Sequence, residues 1–340
     1  MTNDKILLGH GSGGLMMHGL IRELISPTLA LSSLSDAAIL QAELRGGARL
    51  AFSTDSYVVS PLFFPGGNIG DLAINGTVND LAVSGAKPLW LTVGLIIEEG
   101  LPIETLKQVL NSIADAAQRA NVRVVAGDTK VVNRGGCDQL FINTAGIGVV
   151  DEGIDLGPHR IKVGDIVIVS GMIGNHGIAV MAERNGLTFD PPVLSDTAPL
   201  NGLTERLLGS EGNAIKMMRD PTRGGVATTL KEIALESGLN IEIDETELPI
   251  AAGVNGACEL LGLDPLYVAN EGILIAIVDR DRAQSVLNLM RSNPLGKDAA
   301  IIGEVTPLRG DRSPLVLLRT TIGGRRIVEM LAGEQLTRIC

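Results

Sequence analysis

Strand-like apolar runs alternate with helical stretches twice along this chain, and that rhythm constrains its fold more than any other feature. In the first half, 48–59 alternates in the manner of a half-buried strand, and Asp71–Gly85 reads as helix. Leu89–Ile97 is apolar and β-prone. Leu101–Ala120 carries Leu106, Val109, Leu110, Ile113 and Ala117 on one helical face, and strands Val122–Ala126 and Leu140–Val150 follow. A break rich in Gly and Pro, Asp151–Lys162, precedes a second series running from strand Asp165–Ser170 to strand 322–328. Residues 28–47 read as a loosely packed connection, and Leu331–Cys340 as a tail without periodicity. Such alternation demands helices layered on sheets, and 340 residues suffice for two α/β domains with their own cores.

Composition narrows the function. A net charge of −11 argues against nucleic acid and anionic membrane surfaces, both of which call for clustered Lys and Arg. Aromatic residues are only 2%, so the core must be aliphatic and base-stacking platforms are excluded. Cys137, Cys258 and Cys340 form neither a disulfide framework nor a paired metal motif. With no signal-like start and no apolar run of the ~18 residues that a membrane span requires, a cytoplasmic protein is expected.

The motifs point toward phosphate chemistry. Gly9-x-Gly11-x-x-Gly14 fits the spacing of a dinucleotide loop, but Leu31–Ser35 is a poor strand ahead of Asp36. No Gly-Lys-Ser/Thr follows, which excludes a Walker A loop. A flexible turn and another kind of phosphate-covering loop remain open for Gly11, Ser12, Gly13 and Gly14. Asp55 closes a polar strand face, Asn79 and Asp80 interrupt an apolar helix, Asp128 follows a strand and Asp220 precedes a helix start. Each could be a cap or turn residue. Converging, they would suit Mg²⁺ shared with substrate phosphates, because Mg²⁺ takes oxygen ligands. Lys130 is either a solvated loop lysine or a phosphate neighbour, and Glu271 either a turn acid or a general base. Cys340 is either an incidental terminal residue or a chemically available thiol on an arm that spans at most ~36 Å when extended.

Taken together, HGSGG (10–14), FSTDSYVVSPLFFPGGNIG (52–70), NGTVNDLAVSGAKP (75–88), AGDTKVV (126–132), RDPTRGGV (219–226), ANEG (269–272) and the final RIC resemble the HypE family of carbamoyl dehydratases, hydrogenase maturation factors within the PurM-like ATP-dependent superfamily. The resemblance implies a PurM-like two-domain α/β (α+β) fold: an arm over 1–45, an ATP-binding domain over 46–155 with a dimer-forming sheet, a C-terminal domain over 156–330, and a mobile tail over 331–340. It implies Mg²⁺ and ATP as cofactors. Asp55, Asp80, Asp128 and Asp220 would hold metal and phosphate, with Asn79, Thr129 and the Gly11–Gly14 loop around the nucleotide. Cys340 would carry the carbamoyl group, and Lys130 and Glu271 would handle protons. The implied partners are the carbamoyltransferase HypF, the HypC–HypD complex as cyanide acceptor, and a second copy of the chain. Competing readings are a selenophosphate synthetase-like or thiamine phosphate kinase-like enzyme and a non-catalytic, nucleotide-gated carrier. The first usually has a Cys or selenocysteine near its glycine loop, where this chain has none before Cys137.

Overall fold

In the computed structural model, the described residues are 6–11, 14–29, 36–40, 47–308, 313–331 and 336–340. After helix α1 (Leu15–Leu20), a π-helical stretch Ile21–Ile25 and the single turn α2 (Ser26–Leu29), the chain builds a first sheet. Its strands are β1 (Ala38–Leu40) and β2 (Arg49–Tyr57), then, past a small β3–β4 ladder (Phe63–Phe64, Gly67–Asn68) and helix α3 (Ile69–Val83), β5 (Lys87–Glu98). Helix α4 (Ile103–Arg119), β6 (Arg123–Val132) and β7 (Leu140–Val150) complete it. The strand order is β1-β2-β7-β5-β6, antiparallel except where β5 and β6 run parallel.

The connection read over 28–47 is therefore corrected: Ala38–Leu40 is an edge strand paired with Leu50–Phe52. Three residues are too few to carry a legible alternation. β6 is likewise longer than the Val122–Ala126 reading, and it places Asp128 in mid-strand.

Helix α3 positions the site. Asn68 and Asp71 form a reciprocal capping box that fixes its start. Nearly every residue of the helix is buried, because one side lies on β2 and β7 and another meets the second half of the chain. A helix covered all round shows no amphipathic stripe, unlike α4, which buries only Val109, Ile113, Ala116 and Ala117.

The second half contains β8 (Ile166–Val169), α5 (Asn175–Asn185), α6 (Asn201–Glu211), β9 (Ile215–Arg219), α7 (Gly225–Ser237), β10 (Asn240–Asp244), α8 (Ala252–Leu261), β11 (Ile275–Val278), α9 (Ala283–Arg291), β12 (Ala300–Thr306), β13 (Val316–Arg319) and β14 (Arg325–Val328). Its sheet runs β14-β13-β10-β12-β8-β11-β9. The central strands β8 and β11 are buried on both faces, which explains their unbroken aliphatic sequences. Separate apolar clusters fill the two faces of this sheet.

Asn79 joins the two halves. Its Nδ2 donates to Ala198 O and Glu271 O (3.1 Å each), and its Oδ1 accepts from Leu200 N (2.8 Å). Asn79→Ala is expected to destabilise the protein by about 3 kcal/mol in urea unfolding, because it strands two carbonyls and one N–H in a buried junction. An unchanged midpoint would show that the junction relaxes at no cost.

Candidate active site

Three carboxylates converge beneath α3. Asp36 just before β1, Asp80 on α3 and Asp220 just after β9 each offer an oxygen, and these oxygens lie within 4.8 Å of one another. Asp80 also accepts from Ser53 Oγ on β2 (2.7 Å). Burial first, then the charge of Asp220, raises the Asp80 pKa well above its ordinary value. Burial and the Asp36 charge push Asp220 up to about 8. Such crowding is costly without a cation, and an all-oxygen donor set is what Mg²⁺ takes. Arg219 compensates in part: it lies 2.6 Å from Asp36 and 2.9 Å from Glu232. Burial opposes its charge, but Asp36 and Glu232 outweigh that and raise its pKa.

Half-buried Asp55, on β2, adds to this field and raises both Asp80 and Asp220. Asp128 does not join the cluster in this chain. It is exposed on β6 and pairs with Lys130 at 2.8 Å, with Thr129 exposed beside them. That pairing lowers its pKa, the opposite of the shift at Asp80 and Asp220. Asn79, expected beside the nucleotide, uses its amide at the junction between the halves.

Glu271 is buried and its Oε1 has no hydrogen-bond partner. Burial, followed by Asp220, Asp55 and Asp196, raises its pKa well above the usual carboxyl range. Its turn is fixed from outside, because Asp196 Oδ2 accepts from Glu271 N (3.0 Å) and Gly272 N (2.9 Å). A Cβ on Gly272 would lie 1.7 Å from Asp196 O, which accounts for glycine after this acid.

The tail does not hang free. Residues 336–340 lie in the cleft: Val58 N donates to Cys340 O (3.1 Å) and Ser60 N to Arg338 O (3.2 Å), extending the β2 line with a short antiparallel addition. Ile339 is 2% exposed, and Cys340 packs on the core of the first half. His176 Nε2 meets Ile339 O at 2.9 Å, while its Nδ1 meets Ser195 Oγ at 2.8 Å. A carbonyl only accepts, so Nε2 carries the proton, and burial keeps the ring neutral with a pKa of about 4. Burial pushes the Cys340 thiol up to about 12, against the pull of Arg223; Glu271, Asp55 and Asp220 raise it further. The cation behind this pull is Arg223; Arg338, two residues before the thiol, donates from Nε to Val58 O (2.9 Å) and pairs through Nη1 with Asp138 (2.7 Å).

Gly11 lies in the 3₁₀ turn Leu8–Gly11, while Ser12 and Gly13 fall outside the described residues. Gly14 faces the base of the tail rather than open space. Leu15 N donates to Leu331 O (2.9 Å), and a Cβ on Gly14 would meet that oxygen at 2.3 Å. His18 Nε2 contacts Glu232 at 2.7 Å, tying the arm to α7.

Sequence reasoning missed Asp36 as a carboxylate of the cluster, Arg223 as the cation at Cys340, and Asp196 behind Glu271. Arg223 stands beside Asp220 in the RDPTRGGV segment, which was legible. Asp196 lies in irregular chain and gave no such signal.

An acidic cluster and a thiol-bearing tail in one cleft, framed by two α/β units, define a two-domain protein of the AIR synthase related class. Family models described as "AIR synthase related protein", N-terminal and C-terminal domain, match residues 34–150 and 162–314. "Carbamoyl dehydratase HypE" of Bradyrhizobium diazoefficiens is 50% identical over the whole chain and 97% of its own length. A crystal structure of a HypE–HypF complex is similar at a TM-score of 0.85 and 50% identity, covering 92% of this chain and 99% of that one. HypE in complex with ATP is similar at 0.83 and 45%, covering 99% and 100%. The chain belongs to the HypE family of carbamoyl dehydratases.

Proposed function

We propose that this chain dehydrates a carbamoyl group carried on Cys340, consuming ATP and leaving an S-cyanated cysteine for a [NiFe]-hydrogenase iron centre. The observation that carries the reading is the seat of Cys340, with Arg223, Glu271, Asp55 and Asp220 acting electrostatically on its thiol. A competing carrier role gives no reason to sink the thiol among a metal-type carboxylate cluster and a proton-accepting acid.

The atoms balance as follows. The carbamoyl oxygen attacks the γ-phosphoryl of ATP, forming a C–O–P linkage and releasing ADP and one N–H proton. The second N–H proton then leaves as the C–O bond breaks, which yields the nitrile and phosphate. Phosphate is a good leaving group where the amide oxygen is poor. Asp36, Asp80 and Asp220 would hold Mg²⁺, which neutralises phosphate charge as phosphoryl transfer requires. Glu271 would accept the second proton: it is buried, has a free Oε1, and its raised pKa makes it a strong base once ionised.

Lys130 and Asp128 would serve from an interface. β6 is an outer strand, and Val124, Val125 and Val131 are exposed along it. A second copy covering that edge would bury these side chains and draw Asp128, Thr129 and Lys130 against the neighbouring subunit. HypF is proposed to load Cys340 and the HypC–HypD complex to take the cyanide, steps that need the tail outside the cleft.

The test is a single turnover of carbamoylated protein with Mg–ATP, followed by mass analysis of the C-terminal peptide. Loss of one water mass from Cys340 with one ADP released is expected. ADP without the nitrile would mark a simple ATPase, and neither product a carrier.

A further inference from the structure

The tail is held largely through its backbone, and one side chain from the second half of the chain fastens it together with the edge that receives it. Arg184, at the end of α5, donates from Nε (2.8 Å) and Nη2 (2.6 Å) to Ser60 O. From Nη1 it reaches Thr337 O (2.9 Å), and from Nη2 also Arg338 O (2.8 Å). One guanidinium on the second half of the chain therefore fastens both the edge that receives the tail and the tail itself. Among the described residues no carboxylate lies within ion-pair distance of it. Its acceptors are carbonyls apart from a weak contact to Met181 Sδ (3.7 Å). The fork geometry of arginine is what allows one group to serve three carbonyls. A partly buried cation without an acid beside it is costly, so two of its compensating bonds exist only while the tail is seated.

We infer that Arg184 is a positioning residue for the dehydration step. It holds Thr337 and Arg338 against residues 58–60 and so sets where Cys340 comes to rest, without touching the reacting atoms. This inference rests on the proposed role of Cys340. Because its two acceptors on the tail, Thr337 O and Arg338 O, are backbone oxygens, Arg184 reads the path of the tail and not its side chains. The other polar contacts of the tail are Val58 N on Cys340 O, Ser60 N on Arg338 O, His176 on Ile339 O, and the Arg338 side chain on Val58 O and Asp138. Arg184 is a cation from the second half of the chain that bonds both the receiving edge and the tail.

The experiment compares the full-length protein with Arg184→Ala and Arg184→Lys. Three quantities are read: iodoacetamide alkylation of Cys340 by mass analysis of the C-terminal peptide, ATP dependence, and single-turnover nitrile formation after loading by HypF. For Arg184→Ala, alkylation is expected to be about tenfold faster and nitrile formation at saturating ATP at least about tenfold slower. The ATP concentration for half-maximal rate should stay within about twofold, since only the tail is misplaced. Arg184→Lys keeps the charge but not the fork, and should recover part of both effects; it also serves if the alanine protein fails to fold. Alkylation at the parent rate would overturn the inference, as would nitrile formation at the parent rate. Slow nitrile formation with Cys340 still protected would overturn it too, by showing that Arg184 acts elsewhere than on the tail. If the parent itself forms no nitrile, the proposed function falls, and faster alkylation of Arg184→Ala then supports the tail-seating role alone.

Discussion

Cys340→Ser should form no nitrile at all while still binding ATP. The replacement keeps the shape of the side chain and its packing against the first core, so the cleft and the carboxylate cluster are left intact. What disappears is the sulfur that accepts and holds the carbamoyl group. Its environment makes the thiol chemically quiet when seated: burial pushes its pKa to about 12, so almost none is thiolate at neutral pH. Loading must therefore happen with the tail out, and dehydration with the tail in. Electrospray mass analysis after incubation with HypF, carbamoyl donor and Mg–ATP checks this directly. A cyanated product from the serine protein would remove Cys340 from the mechanism, and loss of ATP binding would show that the residue is structural.

Asp220→Asn should separate stability from activity. Folding forces three carboxylates into one buried cluster, and the raised pKa of Asp220, about 8, records that strain. The folded protein binds this proton more tightly than the unfolded chain does. Stability from this group is then fully present below the unfolded pKa near 4 and is lost as pH rises toward 8. The ligand-free parent should therefore melt at falling temperature over that interval, and Mg²⁺ should flatten the slope. Asparagine carries no charge, so the variant should lose this component of the slope and gain about 1 kcal/mol at pH 7.5. Turnover should drop by at least about a hundredfold if Asp220 holds the metal as proposed, because one oxygen ligand is then gone. Calorimetry across pH with and without Mg²⁺, alongside ADP release, decides it. A variant that keeps normal turnover would remove Asp220 from the metal site.

The fold was readable where periodicity is long. α4 shows its buried face in Val109, Ile113, Ala116 and Ala117, and the paired halves follow from the α/β rhythm. β1 escaped because three residues show no pattern, and β9 because Ile215–Arg219 is a short, mostly apolar run buried on both faces. At the site, Asp80, Asp220 and Glu271 stood out as acids in apolar settings. Asp36 did not, since only the pairing of β1 on β2 carries it to the others. The junction made by Asn79 was not legible, because its hydrogen bonds to three distant backbone groups cannot be inferred from its neighbours. The tail was legible as a separate segment but not as a seated one: its partners at 58–60, 176 and 184 are remote in sequence, and most of them touch only its backbone.

The seated tail alters the kinetics of the whole molecule. Reactant and catalyst share one covalent chain, so the carbamoyl group is presented at an effective local concentration on the order of millimolar however dilute the protein is. Only the nucleotide then has a meaningful Michaelis constant, and half-lives should not lengthen on dilution while the proposed pair of copies stays associated. Soluble carbamoyl compounds would compete poorly for the crevice, because they lack the peptide that anchors the genuine cargo.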